Sequence, residues 1–346
     1  MNKTSRITLS DVALAADVSP ITVSRALRDP SKVSPLARDR IDRAIRELGY
    51  VPNPAARALA SGRTDIVGVI IPSVSNNVFA DVMRGIDEGL QGSPLIVQLG
   101  TTRYSPLTEE QLIRVFLSQR PAGLIVAGHD QSPAARALLA GAECPVVQIM
   151  EVGPDPIDLA VGLSHFDGAR AAAEHLLAQG YRAPAFLGAQ MDPRSQRRLA
   201  GFRACLEAAG LGGDDPVVTT PEPSSVSLGC RLFADLMARL PQTDAVLCNN
   251  DDLALGVLFE ARRRNITVPT RLGICGFNDH EMMSAAEPPI TSVATDRRAM
   301  GAQAIRLIRA RLAGQDAPRG HAVDLGFQLI PRASTRRNRS SADRPT

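Results

Sequence analysis

The sequence predicts an all-α helix-turn-helix module at the N-terminus, joined to an α/β body of two lobes, each a doubly wound parallel sheet. Three observations predict this. Residues 8–27, TLSDVALAADVSPITVSRAL, hold two short apolar stripes at helical spacing on either side of a capped corner. From Asp65 onward, continuous β-branched apolar runs alternate with amphipathic helices, the pattern of parallel βαβ units. The chain of 346 residues also exceeds the roughly 250 at which single cores stop growing, so two or three domains are expected.

In the first stretch, Leu9, Val12, Ala13 and Ala16 form one stripe, and Val23 and Leu27 begin another. Between them, Asp17-Val18-Ser19-Pro20 suits a sharp turn. Ser19 can accept from the free N–H groups of the second helix, and Pro20 is tolerated in its first turn. That helix is expected to present Pro20, Ile21, Ser24 and Arg25 outward, with Thr22, Val23 and Ala26 nearer the body. Any small helical hairpin would share this spacing. A polar, twice proline-broken loop follows, and Ser34 then caps a third helix with Leu36, Ile41, Ala44, Ile45 and Leu48 as its apolar face, ended by Gly49. Asn53-Pro54 can start a further helix that Ser61-Gly62 stops after about two turns, too short to be stable alone in water. A plain linker is the alternative.

The body opens with IVGVIIP, the mark of a strand buried on both faces. Comparable runs occur at 94–100, 122–128, 145–150, 184–189, 245–250 and 272–277, with helices expected at 79–91, 108–120, 132–141, 167–179, 196–210, 225–240, 251–264 and 297–313. One set runs from Asp65 to about Gly162 and the other from about Leu163 to Ile290, followed by a last helix and the strand-like HAVDLGFQLI. The expected domains are therefore 1–52, a 53–64 linker, and a 65–331 body. Its first lobe takes about 65–162 and 294–325, and its second 163–293 and 326–331. Residues 332–346 read as a disordered basic tail.

Composition excludes several classes. A hydrophobic fraction of 44% with 22% charged residues describes a globular protein. No uncharged apolar run reaches the ~18 residues of a membrane helix. Asp11 and Asp17 interrupt the one candidate signal-peptide core, so a cytoplasmic location is expected. Five scattered cysteines without CxxC pairing, each in an apolar segment, point to buried free thiols rather than a zinc site, and no metal or cofactor is expected. There is no Walker A loop, no GxGxxG after the first strand, no HExxH and no complete Gly-x-Ser-x-Gly, which leaves an enzyme on this fold as the weaker alternative. A sugar-binding transport protein is the other, and it lacks a use for the N-terminal module.

The net charge of +3 conceals an asymmetry: +5 over residues 1–64, −6 over 65–331 and +4 over 332–346. Attraction to phosphate is thereby concentrated at the ends. In the body, polar stretches stand just after strands, where a doubly wound fold binds ligands. They are Ser73 to Phe79, Glu151, Gln190-Met191-Asp192 with Arg197 and Arg198 beyond, Asn249 to Asp252, Asn278-Asp279-His280 and Thr295-Asp296-Arg297. Asn, Asp and Arg suit hydroxyl groups, and Arg adds bidentate binding of a carboxylate. Singly each reads equally as a helix cap. Six strand ends together favour a pocket.

TLSDVALAADVSPITVSRALRDPSKVS, followed by LGYVPNPAARALASGRT, resembles the DNA-binding headpiece and hinge of the LacI/GalR family of bacterial regulators. The resemblance extends to about Ile330 through GVIIPSVSNNVFADVMRGI, SHFDGAR, RRLAGF, NDDLALG and GFND. Within the family, TVSRALRDPSKVS, LCNNDDLALG, GFNDHE, the Thr-x-Arg-x-x-Met-Gly of 295–301 and VDLGFQL resemble the gluconate-repressor branch. The resemblance implies a headpiece on a two-lobed, periplasmic-binding-protein-like sensor, acting as a homodimer on a pseudopalindromic operator in the bacterial nucleoid. The implied DNA contacts are Thr8, Ser19, Pro20, Ile21, Thr22, Ser24, Arg25, Asn53, Arg57 and Leu59.

Among them, Pro20, Ile21 and Arg25 take base-reading positions, while Ser19, Thr22, Ser24 and Asn53 hold phosphates. Pro20-Ile21 departs from the family's usual polar pair, which leaves Arg25 as the main hydrogen-bonding reader. Residues 54–60 would fold on DNA, with Leu59 as the wedge in the minor groove. The implied effector contacts are Arg198, Asn250 and Asn278, with Ser73, Asn77 and Phe79 from the other lobe, Glu151 at a strand end and Arg297 as the gluconate branch's addition. A sugar acid fits two arginines beside amides, because Asn278 stands where many relatives have Asp and avoids repelling a carboxylate. A ligand-controlled repressor of sugar or sugar-acid genes is the reading this resemblance implies, with lobe closure coupled to operator affinity.

Overall fold

The computed structural model describes residues 7–28, 30–51, 62–213, 215–315 and 318–337. The expected DNA contacts Asn53, Arg57 and Leu59 lie outside the described residues. Two compact units divide the chain, Met1–Thr64 and Asp65–Thr346.

In the first unit, helices α1 (Leu9–Ala15), α2 (Pro20–Arg28) and α3 (Pro35–Leu48) enclose a small core of Val12, Ala13, Ala16, Val23, Ala26, Ile41, Ala44 and Tyr50. A reciprocal capping box starts α1: Thr8 Oγ1 accepts from the Asp11 N–H at 3.3 Å, and the Asp11 carboxylate accepts from the Thr8 N–H at 2.8 Å. At the corner, Asp17 is left-handed (φ 51°) and Val18 N–H donates to Ala13 O at 3.0 Å. Arg40 of α3 donates to the Asp17 carbonyl at 3.3 Å, so the third helix braces the turn. Leu36, expected on the apolar face, is 73% exposed. It lies five residues from buried Ile41, about 140° around the helix.

The second unit contains two six-stranded sheets. The first joins β1 (Ile66–Ile71), β2 (Ile96–Thr101), β3 (Gly123–Ala127), β4 (Val146–Glu151), β5 (Leu159–Leu163) and β11 (His321–Asp324), in the order β11-β5-β4-β3-β1-β2, all parallel. The second joins β6 (Pro184–Ala189), β7 (Val217–Thr220), β8 (Ala245–Cys248), β9 (Gly273–Asn278), β10 (Thr291–Ala294) and β12 (Gln328–Ile330), in the order β12-β10-β9-β8-β6-β7, parallel except for β12. Both orders reverse direction beside their first strands, the crevice where doubly wound folds bind ligands.

The intervening helices are α4 (Val78–Leu90), α5 (Pro106–Ser118), α6 (Pro133–Ala140), α7 (His165–Ala178), α8 (Pro193–Ala208), α9 (Val226–Arg239), α10 (Asp251–Arg263), the short α11 (Glu281–Ala285) and α12 (Arg297–Leu312). Side-chain oxygens of Ser105, Ser132, Ser164, Asp192, Ser225, Asn250 and Asp296 cap seven of them. Helices α4 and α12 press together through glycine. A Cβ at Gly301 would meet Val82 O at 2.1 Å, and one at Gly85 would meet Arg298 O at 1.9 Å. That contact ties the late helix α12 back to the first sheet's lobe.

HAVDLGFQLI forms two strands, β11 in the first sheet and β12 in the second, parted near Gly326 (φ 65°). One expectation needs correction. Residues 332–337, assigned above to a disordered tail, are packed. Ser334 and Thr335 are fully buried; Ser334 Oγ donates to Ile274 O at 2.6 Å, and the Arg337 guanidinium stacks over the Tyr181 ring at 4.1 Å. Short polar side chains satisfy strand-end carbonyls there, a use that composition does not reveal. The five cysteines are unpaired, with Cys144 and Cys230 only half-buried.

Candidate ligand cleft and nucleic-acid interface

On the first unit, α2 turns Pro20, Ile21 and Arg25 outward while Val23 and Ala26 enter the core. Ile21 is 65% exposed, a large apolar side chain held in water by its helix. Arg25 has no hydrogen bond or ion pair among the described residues. Thr22 and Ser24 are half-buried at the flank. The Ser19 and Thr8 hydroxyls are engaged in capping: Ser19 Oγ accepts from Thr22 N–H at 3.2 Å, and Thr8 Oγ1 donates to Asp11 Oδ2 at 2.7 Å. Their assignment to phosphate therefore carries a structural use alongside it.

In the second unit, a cavity of about 670 Å³ opens at the carboxyl ends of β1, β2, β6, β7, β8 and β9. Loops after β1 and β2 bring Ser73, Asn76, Arg103 and Tyr104, and the opposite lobe brings Arg194, Arg198, Ser224, Asn250, Asp251, Asp252, Asn278 and His280. A side chamber of about 340 Å³ shares Tyr104, Asp192 and Arg194 with it. Tyr104 OH accepts from Asn76 Nδ2 at 3.2 Å, and Ser73 Oγ lies 2.8 Å from Ser75 Oγ.

Arg198 is the most constrained cation of this wall. It is 6% exposed, stacks over the Phe277 ring at 3.8 Å, and donates to Asn249 O and to His165 Nδ1, the latter from Nε at 3.3 Å. No carboxylate pairs with it among the described residues. Burial and the like charge of Arg194 push its pKa down to about 9, against partial support from Asp192, Glu151 and Asp251. Arg194, by contrast, is paired with Asp192 at 2.6 Å and lies over the Phe79 ring at 5.4 Å.

Arg194 holds Asp192 below the usual carboxylate range against its burial, whereas two other carboxyls on the same wall are shifted toward neutrality. Burial raises Asp251 to about 7, although it accepts from His280 N–H and Ser292 Oγ, both at 2.7 Å. Burial also raises Asp252. His280 is pushed down to about 4 by burial and by Arg297. Asn250 caps α10 through Leu253 N–H at 3.1 Å and donates to Ser224 Oγ at 2.7 Å. Asn278 (φ 110°) lines the cavity, and its side-chain amide has no hydrogen-bond partner among the described residues. The wall thus offers amides, hydroxyls and one buried unpaired guanidinium.

Of the expected effector residues, Ser73, Arg198, Asn250 and Asn278 line the cavity, while four do not. Phe79 is 1% exposed within the apolar core, because its helix turns that face inward. Asn77 sits at the N-terminus of α4, with its neighbour Asn76 on the lining instead. Glu151 is 4% exposed behind the wall, its Oε2 unpartnered and 3.7 Å from His165 Nε2. Arg297 is buried and occupied: it donates to Asp81 Oδ2 at 2.7 Å from Nη2 and to Asn278 O from Nη1. It is a strut between α4 and the end of β9. A second strut is the bidentate pair of Arg197 with Asp130, at 2.9 and 2.5 Å. Arg103, Tyr104, Arg194 and Ser224 also line the cavity, outside the residues expected from the sequence. The polar TTRYS after β2 carried the same signal as the other strand ends. Among the described residues no cluster of three or more His, Cys, Asp or Glu could hold a metal ion, and no helix is long and apolar enough to cross a membrane.

A small-headed helical module and a two-lobed cleft for a polar ligand define a ligand-sensing DNA-binding regulator. Residues 8–53 match the family model described as bacterial regulatory proteins, lacI family, and residues 173–335 match a periplasmic binding protein-like domain. The chain is 42% identical over 332 residues to the HTH-type transcriptional regulator GntR of Pseudomonas aeruginosa, covering 96% of each. It is 36% identical to that of Escherichia coli K12, covering 96% of this chain and 99% of the relative. A LacI-family regulator from Silicibacter pomeroyi superposes with a TM-score of 0.88 at 36% identity, covering 96% of this chain and all of that one. The lac repressor dimer bound to operator and the anti-inducer ONPF superposes at 0.82 with 26% identity, covering 96% and 99%. The chain belongs to the LacI family of DNA-binding transcriptional regulators, and these relatives are regulators rather than enzymes.

Proposed function

We propose that this regulator is a homodimeric repressor that grips a pseudopalindromic operator and answers to gluconate or a related sugar acid. The observation that carries the acid is Arg198. A guanidinium buried in the cavity wall, held by a carbonyl and a neutral histidine, lacks the anion that would neutralise it. A ligand carboxylate supplies that anion, and charge-assisted bidentate pairing in a low-dielectric wall strengthens the contact. The uncharged amides of Asn250 and Asn278 and the partly neutralised Asp251 suit the hydroxyl chain without repelling the acid. The kinship with a repressor solved on its operator supports the DNA and dimer parts of the reading.

Titration calorimetry of the full-length protein against gluconate, other six-carbon sugar acids and neutral hexoses tests the ligand class. The acids bind and the hexoses bind far more weakly on this reading. Preference for a neutral hexose would reject it.

A further inference from the structure

Among the described residues, Arg103, Arg194 and Arg198 line the cavity and Arg197 and Arg297 bridge the lobes beside it, and their partners divide these five. Arg194, Arg197 and Arg297 are each paired with a carboxylate: Asp192 at 2.6 Å, Asp130 at 2.5 Å and Asp81 at 2.7 Å. Arg198 has none, as described. The fifth is Arg103, which lines the cavity from the loop after β2, on the lobe facing Arg198. It is exposed and makes no ion pair among the described residues.

An exposed arginine on a loose loop is ordinarily a solvated charge. The backbone beneath Arg103 is unusual, because Arg103 (φ 52°) and Tyr104 (φ 60°) are consecutive non-glycine residues in the left-handed region. The turn is pinned on both sides. Arg103 N–H donates to Pro72 O at 2.9 Å, Tyr104 N–H to Thr102 Oγ1 at 3.2 Å and Ser105 N–H to Thr102 O at 3.0 Å. Tyr104 is fixed further by its hydrogen bond from Asn76. This bridge joins the β2 turn to the β1 loop that also brings Ser73 to the cavity. The root of the side chain is thus placed before ligand arrives, and less ordering remains to oppose binding.

We propose that Arg103 is the second cationic contact to the effector's carboxylate, reaching it from the lobe opposite Arg198. This rests on the sugar-acid reading above and names the specificity residue that reading lacks. Two guanidiniums on facing lobes repel one another until an anion lies between them, so the charge of the ligand, more than its hydroxyls, favours closure. A neutral polyol of the same length satisfies the amides and leaves both cations apart. Discrimination by charge then resides in a side chain at the mouth and one in the wall.

The test is calorimetry on the full-length protein with gluconate and with sorbitol, its uncharged six-carbon counterpart, for wild type, Arg103→Gln and Arg103→Lys. Arg103→Gln is expected to weaken gluconate about ten-fold and leave sorbitol binding and the melting temperature unchanged, while Arg103→Lys recovers part of the loss. Wild-type gluconate affinity in Arg103→Gln would overturn the assignment while leaving the sugar-acid reading intact. An equal loss of both ligands would make Arg103 a structural residue of the loop and overturn it too. If the wild type itself fails to prefer gluconate over sorbitol, the sugar-acid reading falls and this inference with it.

Discussion

At the scale of single residues, Glu151 shows how a strand-end carboxylate can belong to the wall rather than the ligand. It closes β4 and faces His165, the first residue of α7, where the chain leaves the first sheet for the second. Because His165 Nδ1 accepts from Arg198, its remaining proton is on Nε2, the atom pointing at Glu151 Oε2 from 3.7 Å. Neither atom has another partner among the described residues. Burial, opposed by Arg197, raises Glu151 to about 7. The unfolded chain ionises this carboxyl near 4.5, so from about pH 5 to pH 7 it binds fewer protons than the folded chain, and stability falls by roughly 2 kcal/mol as pH rises. Glu151→Gln should remove that share of the slope in urea denaturation at the two pH values. Asp251, also raised to about 7, contributes in the same sense, and His280, pushed down to about 4, in the opposite one. An unaltered slope would mean that Glu151 is ionised in its niche.

Among the elements, α2 has the most direct consequence for DNA. Its outward row is apolar at Pro20 and Ile21, which can touch a thymine methyl but cannot serve as an amide pair. Arg25, a turn further along and without a hydrogen bond or ion pair among the described residues, is the residue we propose hydrogen-bonds a base. Arg25→Ala should cost about 1–3 kcal/mol at the operator and relax preference at one base pair per half-site, as read by competition with single-base operator variants. An unchanged preference at every position would place the reading surface elsewhere.

The helices and most central strands were legible for physical reasons. Buried parallel strands have to be continuous apolar runs, and Ser, Asp and Asn caps mark helix starts. The strands β5, β7 and β10 were hidden because runs of only four or five residues, two of them partly polar, carry little periodic signal. Site residues followed the same division. Ser73, Arg198, Asn250 and Asn278 line the cavity, whereas Phe79 and Arg297 were taken inward by packing and by Asp81, partners that lie far away in sequence.

For the molecule as a whole, the cleft is spanned by struts that a ligand must work against or reinforce. Arg297 joins Asp81 to the end of β9, and Arg197 joins Asp130 to α8. On the proposed reading, each contributes to the energy that separates one closure of the lobes from another. A ligand alters operator affinity only by as much as it distinguishes those closures. Typical coupling energies of about 1–3 kcal/mol correspond to changes of roughly 5–150-fold.

The most direct test measures the affinity of the full-length protein for the DNA flanking its own gene, by fluorescence anisotropy, with no ligand, with millimolar gluconate and with millimolar sorbitol. Gluconate is expected to shift the dissociation constant at least five-fold and sorbitol to leave it in place. The same affinity in all three conditions would contradict this reading.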